Sequence, residues 1–220
     1  MSPSLMDVAS VREYLGKRLL CSVTTHEKRL ALTFDDGPHP RHTQRLLDLL
    51  ATKGIRATFF VVGRRVRRFR DVLARTADAG HEIGNHSDHH VPLSLLPPPL
   101  IRRELEACGE LVERVTGCRP RFMRPPMGWI NDVVLDTARE LGYEPAIGSI
   151  HPRDSRQPGL DVILRRVRRR IEPGAIIILH DGGWRIGADR GQTIAATDIL
   201  TDELLAAGYR FETLSELAGA

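Results

Sequence analysis

Short, β-prone apolar runs alternate with amphipathic stretches of helical period from Leu30 to Thr213, and few folds accept that rhythm. Leu30-Ala31-Leu32-Thr33-Phe34, Ala57-Thr58-Phe59-Phe60-Val61-Val62 and Ala175-Ile176-Ile177-Ile178-Leu179 are continuous apolar segments of the kind covered on both faces. Shorter strands are expected at Glu82–Asn85, Arg121–Arg124, Glu144–Ser149 and Tyr209–Thr213. Between them lie helical stripes. Leu46, Leu47, Leu49 and Leu50 form one that closes at Lys53-Gly54, and Asp71 to Ala79 another that ends at Gly80. Further helices are expected over Leu100 to Val115, over Asn131 to Leu141 with Asn131 as cap, from Asp161 onward, and over Ile194 to Ala207. The prolines between Leu93 and Pro99 read as loop.

Such alternation predicts a parallel sheet with helical crossovers. A (β/α) barrel and an open doubly wound sheet both satisfy it. The barrel is favoured because Asp35, His86, Arg124, Asp154 and His180 all fall at or just beyond the C-terminal ends of strands, where barrel active sites lie. A chain of 220 residues suits one domain, 1–220, with a motif-bearing core of about 28–213.

The formal charge of +4 comes from arginine, since Lys17, Lys28 and Lys53 are the only lysines. Its densest blocks, Arg64 to Arg70 and Arg165 to Arg170, lie in or beside apparent helices and read as solvated faces, with binding to an anionic polymer or membrane surface as the alternative; a nucleic-acid partner is not expected. Cys21, Cys108 and Cys118 form neither a disulfide framework nor a zinc ribbon. No stretch has the length and apolarity of a signal peptide core or a membrane span. The chain as written is expected in the cytoplasm, or outside the cell where an export segment has been removed.

Asp35 and Asp36 end the first strand just before Gly37-Pro38. Neighbouring side chains on an extended segment point to opposite faces, so they divide their labour only if the chain turns there. Crowded carboxylates call for a cation or a proton, which suggests a metal at one Asp and proton transfer at the other. In His86-Ser87-Asp88-His89-His90, His86 and His90 are four residues apart and would meet across a helical turn. With a strand-end carboxylate they match a hydrolytic zinc site with open positions. His89 is the competing ligand. Arg124-Pro125-Pro126-Met127-Gly128-Trp129 offers Arg124 as an ion-pair partner for Asp35, and the Met127 and Gly128 amides as donors to an oxyanion. His180 ends the strongest strand, where it can protonate a leaving amine, with Asp154 raising its pKa.

Taken in order, these segments resemble the polysaccharide deacetylases of the NodB-like kind, carbohydrate esterase family four. Thr33-Phe34-Asp35-Asp36-Gly37 is similar to the first family motif, His86-Ser87-Asp88-His89-His90 to the second, and Arg124-Pro125-Pro126-Met127-Gly128 to the third. Arg153-Asp154-Ser155 is similar to a degraded fourth and Ile178-Leu179-His180 to the fifth. The resemblance implies a distorted (β/α) barrel of seven or eight strands. It also implies a divalent metal held by Asp36, His86 and His90, usually zinc, with cobalt, nickel or manganese as alternatives. Asp35 would be the general base, His180 the general acid and the Met127 amide an oxyanion donor, with Arg124 orienting Asp35 and Asp154 tuning His180. The implied activity is removal of N-acetyl groups from N-acetylglucosamine-type sugars in chitooligosaccharide, peptidoglycan or a related glycan.

This chain departs from the family pattern at three places that bear on substrate. Met127 stands where Tyr is frequent, Ser155 where an aromatic helps enclose the acetyl group, and Ile178 where Leu is usual. Trp129 and Trp184, the only tryptophans, adjoin motifs, so one of them is expected to rebuild that wall beside Ile178. An aromatic content of 5% leaves few stacking platforms and favours a short saccharide or small conjugate. The alternatives are a deformylase or amidase on another N-acylated small molecule, a non-haem iron oxygenase built on the same two-His, one-carboxylate set, and a carbohydrate-binding relative without catalysis.

Overall fold

The computed structural model describes residues 18–183 and 188–219. Its centre is β1 (Arg29–Gly37), which pairs in parallel with β2 (Thr58–Val61) on one side and β6 (Ile176–His180) on the other. The sheet continues outward through β3 (Glu82–Asn85), β4 (Phe122–Met123) and β5 (Glu144–Pro145), in the order β5-β4-β3-β2-β1-β6. The short β7 (Arg210–Glu212) joins the start of β1. Every pairing of named strands is parallel, as crossover connections require.

Eight helices of this described part pack around the sheet: α1 (His42–Thr52), α2 (Gly63–Arg68), α3 (Arg70–Asp78), α4 (Pro98–Thr116), α5 (Asp132–Glu140), α6 (Leu160–Arg168), α7 (Gly191–Ala206) and α8 (Leu214–Ala218). The sequence expectations hold for most of them. Asn131 caps α5 by accepting from the Val134 amide at 3.0 Å. The Leu93–Pro99 loop is shorter than expected: Leu93–Leu95 is a 3-10 turn, and α4 begins at Pro98. Prolines fit there because first-turn amides have no intrahelical acceptor to lose.

The strand expected over Glu144–Ser149 stops at Pro145. Beyond it the Ile147 amide turns to Leu20 O (2.9 Å), and Gly148 takes φ 141. The chain then meets the far edge of the sheet, where the Ser149 and Ile150 amides both donate to Ile176 O at 3.1 Å and Ile150 bridges Ile177. A single bridge in place of a continuous ladder closes the curve, so the barrel is distorted.

Strand alternation divides β1. Leu30, Leu32 and Phe34 face the helical layer, where Phe34 stacks on Phe59 at 5.0 Å within the main core. Ala31 faces inward with Phe60, Phe122, Ala146 and Ile176, and Leu214 and Leu217 of α8 close that end. The same period of two carries Thr33 and Asp35 into the barrel above them.

Candidate active site

Asp35 continues the inward row, and Asp36 would be lost to the outer face if β1 stayed regular. It does not: Asp36 has φ 73, and the register with β2 slips between Asp35 and Gly37. This bulge turns the second carboxylate toward the mouth as well. The redirecting residue is therefore Asp36 itself, ahead of the Gly37-Pro38 break.

His86 and His90 meet Asp36 there. His90 Nε2 lies 3.0 Å and His86 Nε2 3.6 Å from Asp36 Oδ1, and the three ligand atoms lie within 4.8 Å of one another. The expected helical turn is absent. The segment is irregular, with Ser87 at φ 63 and His90 at φ 59, and the His90 amide donates to Ser87 Oγ at 2.9 Å. His86 Nδ1 contacts Arg124 O at 2.7 Å. A carbonyl can only accept, so Nδ1 carries the proton and the Nε2 lone pair faces Asp36. Burial holds His86 down to about 4 and thus neutral. Burial opposes ionisation of Asp36, yet the hydrogen bond from His90 and the charge of His180 hold it well below the usual carboxylate range. A carboxylate and two imidazoles converging within 4.8 Å are the donor set that a divalent ion such as zinc takes. His89 is turned away: its Nδ1 bonds Glu104 at 2.7 Å.

Arg124 projects from the end of β4 into the barrel, almost fully buried. Its Nη1 reaches Asp35 Oδ1 at 2.6 Å and Thr33 Oγ1 at 2.8 Å, and its guanidinium lies over the Phe60 ring at 4.0 Å. The Thr33 hydroxyl donates in turn to Ile177 O at 2.8 Å. Strand β6 thereby helps to orient the Asp35 pair, a link that the motif pattern did not reveal.

Across the mouth, His180 binds Asp154 twice. Its amide donates to Oδ2 at 2.9 Å, and its Nδ1 lies 2.8 Å from Oδ1. Thr193 Oγ1 of α7 donates to Asp154 Oδ2 at 2.8 Å. Burial favours neutral His180, but the charge and hydrogen bond of Asp154 outweigh it and raise the imidazole to about 9. With Nδ1 given to Asp154, Nε2 is the nitrogen left for chemistry.

The remaining expected residues divide. Met127 takes φ 60 in the turn after β4, and its side chain stands half exposed. The Gly128 amide is already spent on Pro125 O at 3.0 Å, which removes it as an oxyanion donor. Trp129 stands on the rim. Ile178 is 5% exposed, on the inner face of β6 below His180. Trp184 lies outside the described residues.

Three neighbours escaped the sequence reading. Asp181 is buried, accepts from Thr43 Oγ1 and is pushed by burial up to about 7. Asp88 is buried and pairs with Arg67 at 2.8 Å. The exposed His151 ring lies 5.9 Å from that of His180. Only His151 left a signal, a histidine directly after an apolar residue and three before Asp154.

Residues 22–146 match the polysaccharide deacetylase family. The peptidoglycan-N-acetylglucosamine deacetylase of Bacillus cereus is 41% identical over 197 residues, covering 89% of this chain and 90% of that protein. A chitooligosaccharide deacetylase of Bradyrhizobium sp. is 36% identical over 195 residues, covering 84% of this chain and 89% of its own. Among solved structures, a peptidoglycan N-acetylglucosamine deacetylase in complex with 4-naphthalen-1-yl-N-oxidanyl-benzamide superposes with a TM-score of 0.88 at 30% identity, covering 93% of this chain and 95% of that one.

Proposed function

Because the chain belongs to the polysaccharide deacetylase family, the NodB-like carbohydrate esterases of family four, we propose that it hydrolyses the N-acetyl group of N-acetylglucosamine-type glycans with the site described above. The observation that carries this reading is the division of the two carboxylates. Asp36 faces two imidazoles, while Asp35, one residue away, is held by a buried guanidinium.

Asp36, His86 and His90 would hold a divalent ion, zinc in our reading. Such an ion supplies Lewis acidity, polarising the acetyl carbonyl and acidifying a water. Asp35 takes a proton from the attacking water while Arg124 keeps the carboxylate aimed. The water oxygen adds to the acetyl carbon, and the Met127 amide donates to the oxyanion. His180 then delivers the proton on Nε2 to the sugar nitrogen as the carbon–nitrogen bond breaks, releasing acetate and a free amine. Asp154 supports the imidazolium that makes this possible. Trp129 at the rim, with Ile178 beneath His180, supplies apolar surface to the bound sugar.

Metal analysis of the purified protein, together with acetate release from N-acetylglucosamine oligomers of increasing length, tests the proposal. Metal-dependent acetate release is expected. A stoichiometrically loaded protein that releases formate or another acid, and no acetate, would overturn it in favour of a different amidase.

A further inference from the structure

Six large apolar side chains are exposed among the described residues. Five of them, Leu95, Leu100, Met127, Trp129 and Val133, belong to the segments that follow β3 and β4, and only Leu205 lies elsewhere. Leu95 is 73% exposed and Trp129 51%. The two segments are tied together, since Asn131 Nδ2 donates to Ser94 O at 3.1 Å. Scattered exposed apolar residues need no explanation, but a cluster on one arc does.

Strand order says what flanks the arc. In the sequence β5-β4-β3-β2, the segment after β2 lies on one side and the segment after β5 on the other. The first carries Arg64 and Arg68 on one face of α2, and the second carries Arg153 and Arg156, all four exposed. None of the four has a carboxylate partner among the described residues, whereas Arg67 between them pairs with Asp88. Acids within the arc are engaged: Glu104 binds His89 and Asp132 binds Arg18.

Leucine, valine and methionine side chains offer a sugar neither a hydrogen bond nor an aromatic face, so a glycan strand accounts for Trp129 but not for its neighbours. An apolar centre carrying one tryptophan, bracketed by unpaired arginines, complements the interface of an anionic bilayer. We propose that this arc of the barrel mouth docks on an anionic lipid surface. Leu95 and Leu100 enter the interfacial layer and Arg64, Arg68, Arg153 and Arg156 meet lipid phosphates, so that the mouth faces N-acetylated sugars held at a membrane. The docking stands on the surface alone; that the mouth then faces N-acetylated sugars rests on the function proposed above.

The test is cosedimentation of the full chain with phosphatidylcholine vesicles, with and without phosphatidylglycerol. Turnover of a short soluble N-acetylglucosamine oligomer, run in parallel, checks that each variant is folded. The parent is expected to bind phosphatidylglycerol vesicles. L95E combined with L100E should weaken that binding about tenfold or more, and R64E combined with R68E should erase the preference for anionic over neutral vesicles. Both pairs should retain turnover of the soluble oligomer. A parent that stays in the supernatant, or binding that survives both pairs, overturns the proposal. So does a dimer in solution that the leucine variants dissociate, which would assign the arc to a second copy of the chain. Loss of turnover on long glycans alone, with no vesicle binding, would assign it to substrate.

Discussion

The guanidinium of Arg124 meets the carboxylate of Asp35 at 2.6 Å inside the barrel, with both side chains almost fully buried. Burial disfavours the charged guanidinium, and Asp35 is what holds it. Removing one partner of such a pair strands the other charge, a loss of about 3–5 kcal/mol. R124Q is expected to lower thermal stability by that order and kcat by about 100-fold or more, with little change in KM. R124K keeps the charge but loses the planar group that lies over Phe60 and reaches Ala146 O through Nε, and should recover stability better than rate. Unfolding curves and steady-state kinetics on both variants check this. Parental kcat in R124Q would remove Arg124 from the reaction.

Asp36, His86 and His90 present one carboxylate and two imidazoles to a common point. A ligand that binds only the folded chain stabilises it by mass action, about 2.7 kcal/mol at a hundredfold excess over Kd. Chelation should therefore lower the melting temperature of the parent, and readdition of zinc should restore it. H90A and D36A should melt near the chelated parent and show no response to zinc. The readout needs no substrate, and a parent indifferent to chelation would refute the ligand assignment.

His180 is raised to about 9 chiefly by Asp154, against the opposing effect of burial. In the proposed mechanism protonated His180 is the acid, so activity should fall as pH rises through its pKa. A bound cation opposes protonation, so in the loaded enzyme the basic limb is expected between the ordinary histidine value of about 6.5 and about 9. D154N removes the charge that favours the imidazolium, and the limb should move to lower pH. T193V deletes the bond that holds Asp154 Oδ2 and should shift the limb in the same direction by less, with T193S restoring it. The sign for stability is the same: a folded-state value above the unfolded one contributes stability that is present below about pH 6.5 and lost as pH rises through about 9. The pH profile of kcat/KM separates this tuning from a merely structural role, which would lower the rate without moving the limb.

Much of this site was legible because strand ends and periodicity carry it. Apolar runs located β1, β2 and β6, and Asp35 and His180, the polar residues that end the first and last of them, face the mouth. What was not legible depends on backbone departures that side-chain patterns do not encode. They include the left-handed Asp36 that swings the second carboxylate inward at a bulge, and the left-handed Ser87 and His90 that replace the expected helical turn, their amides held by Asn85 Oδ1 and Ser87 Oγ. The early end of β5 depends on Leu20, more than a hundred residues away in sequence, taking the amide of Ile147. Thr193 and Thr33 were invisible for a related reason: a buried threonine in an ordinary helix or strand is noticed only once its acceptor is known.

Gly182 sets the distance between β6 and the end of β1 that carries Asp35 and Asp36. A Cβ there would land on the Asp36 carbonyl oxygen and lie 2.9 Å from the Gly37 amide. Both are backbone atoms that no rotamer change can move. The Gly182 amide also donates to Asp35 O at 3.3 Å, beside that of Asp181 at 3.1 Å. G182A must therefore push the end of β1 away and carry Asp35 and Asp36 with it. Overpacking of this kind costs about 1–3 kcal/mol, and displacement of both carboxylates should lower kcat/KM by more than tenfold along with metal affinity. G117A is the matched control. Gly117 ends α4 at φ 76 with nothing within 4 Å of the added carbon, so strain in the left-handed region should cost about 1 kcal/mol and leave kcat/KM and metal content at the parental level. If the two variants lost activity equally in proportion to their stability, the contact at Gly182 would be general packing and not a spacer for the site.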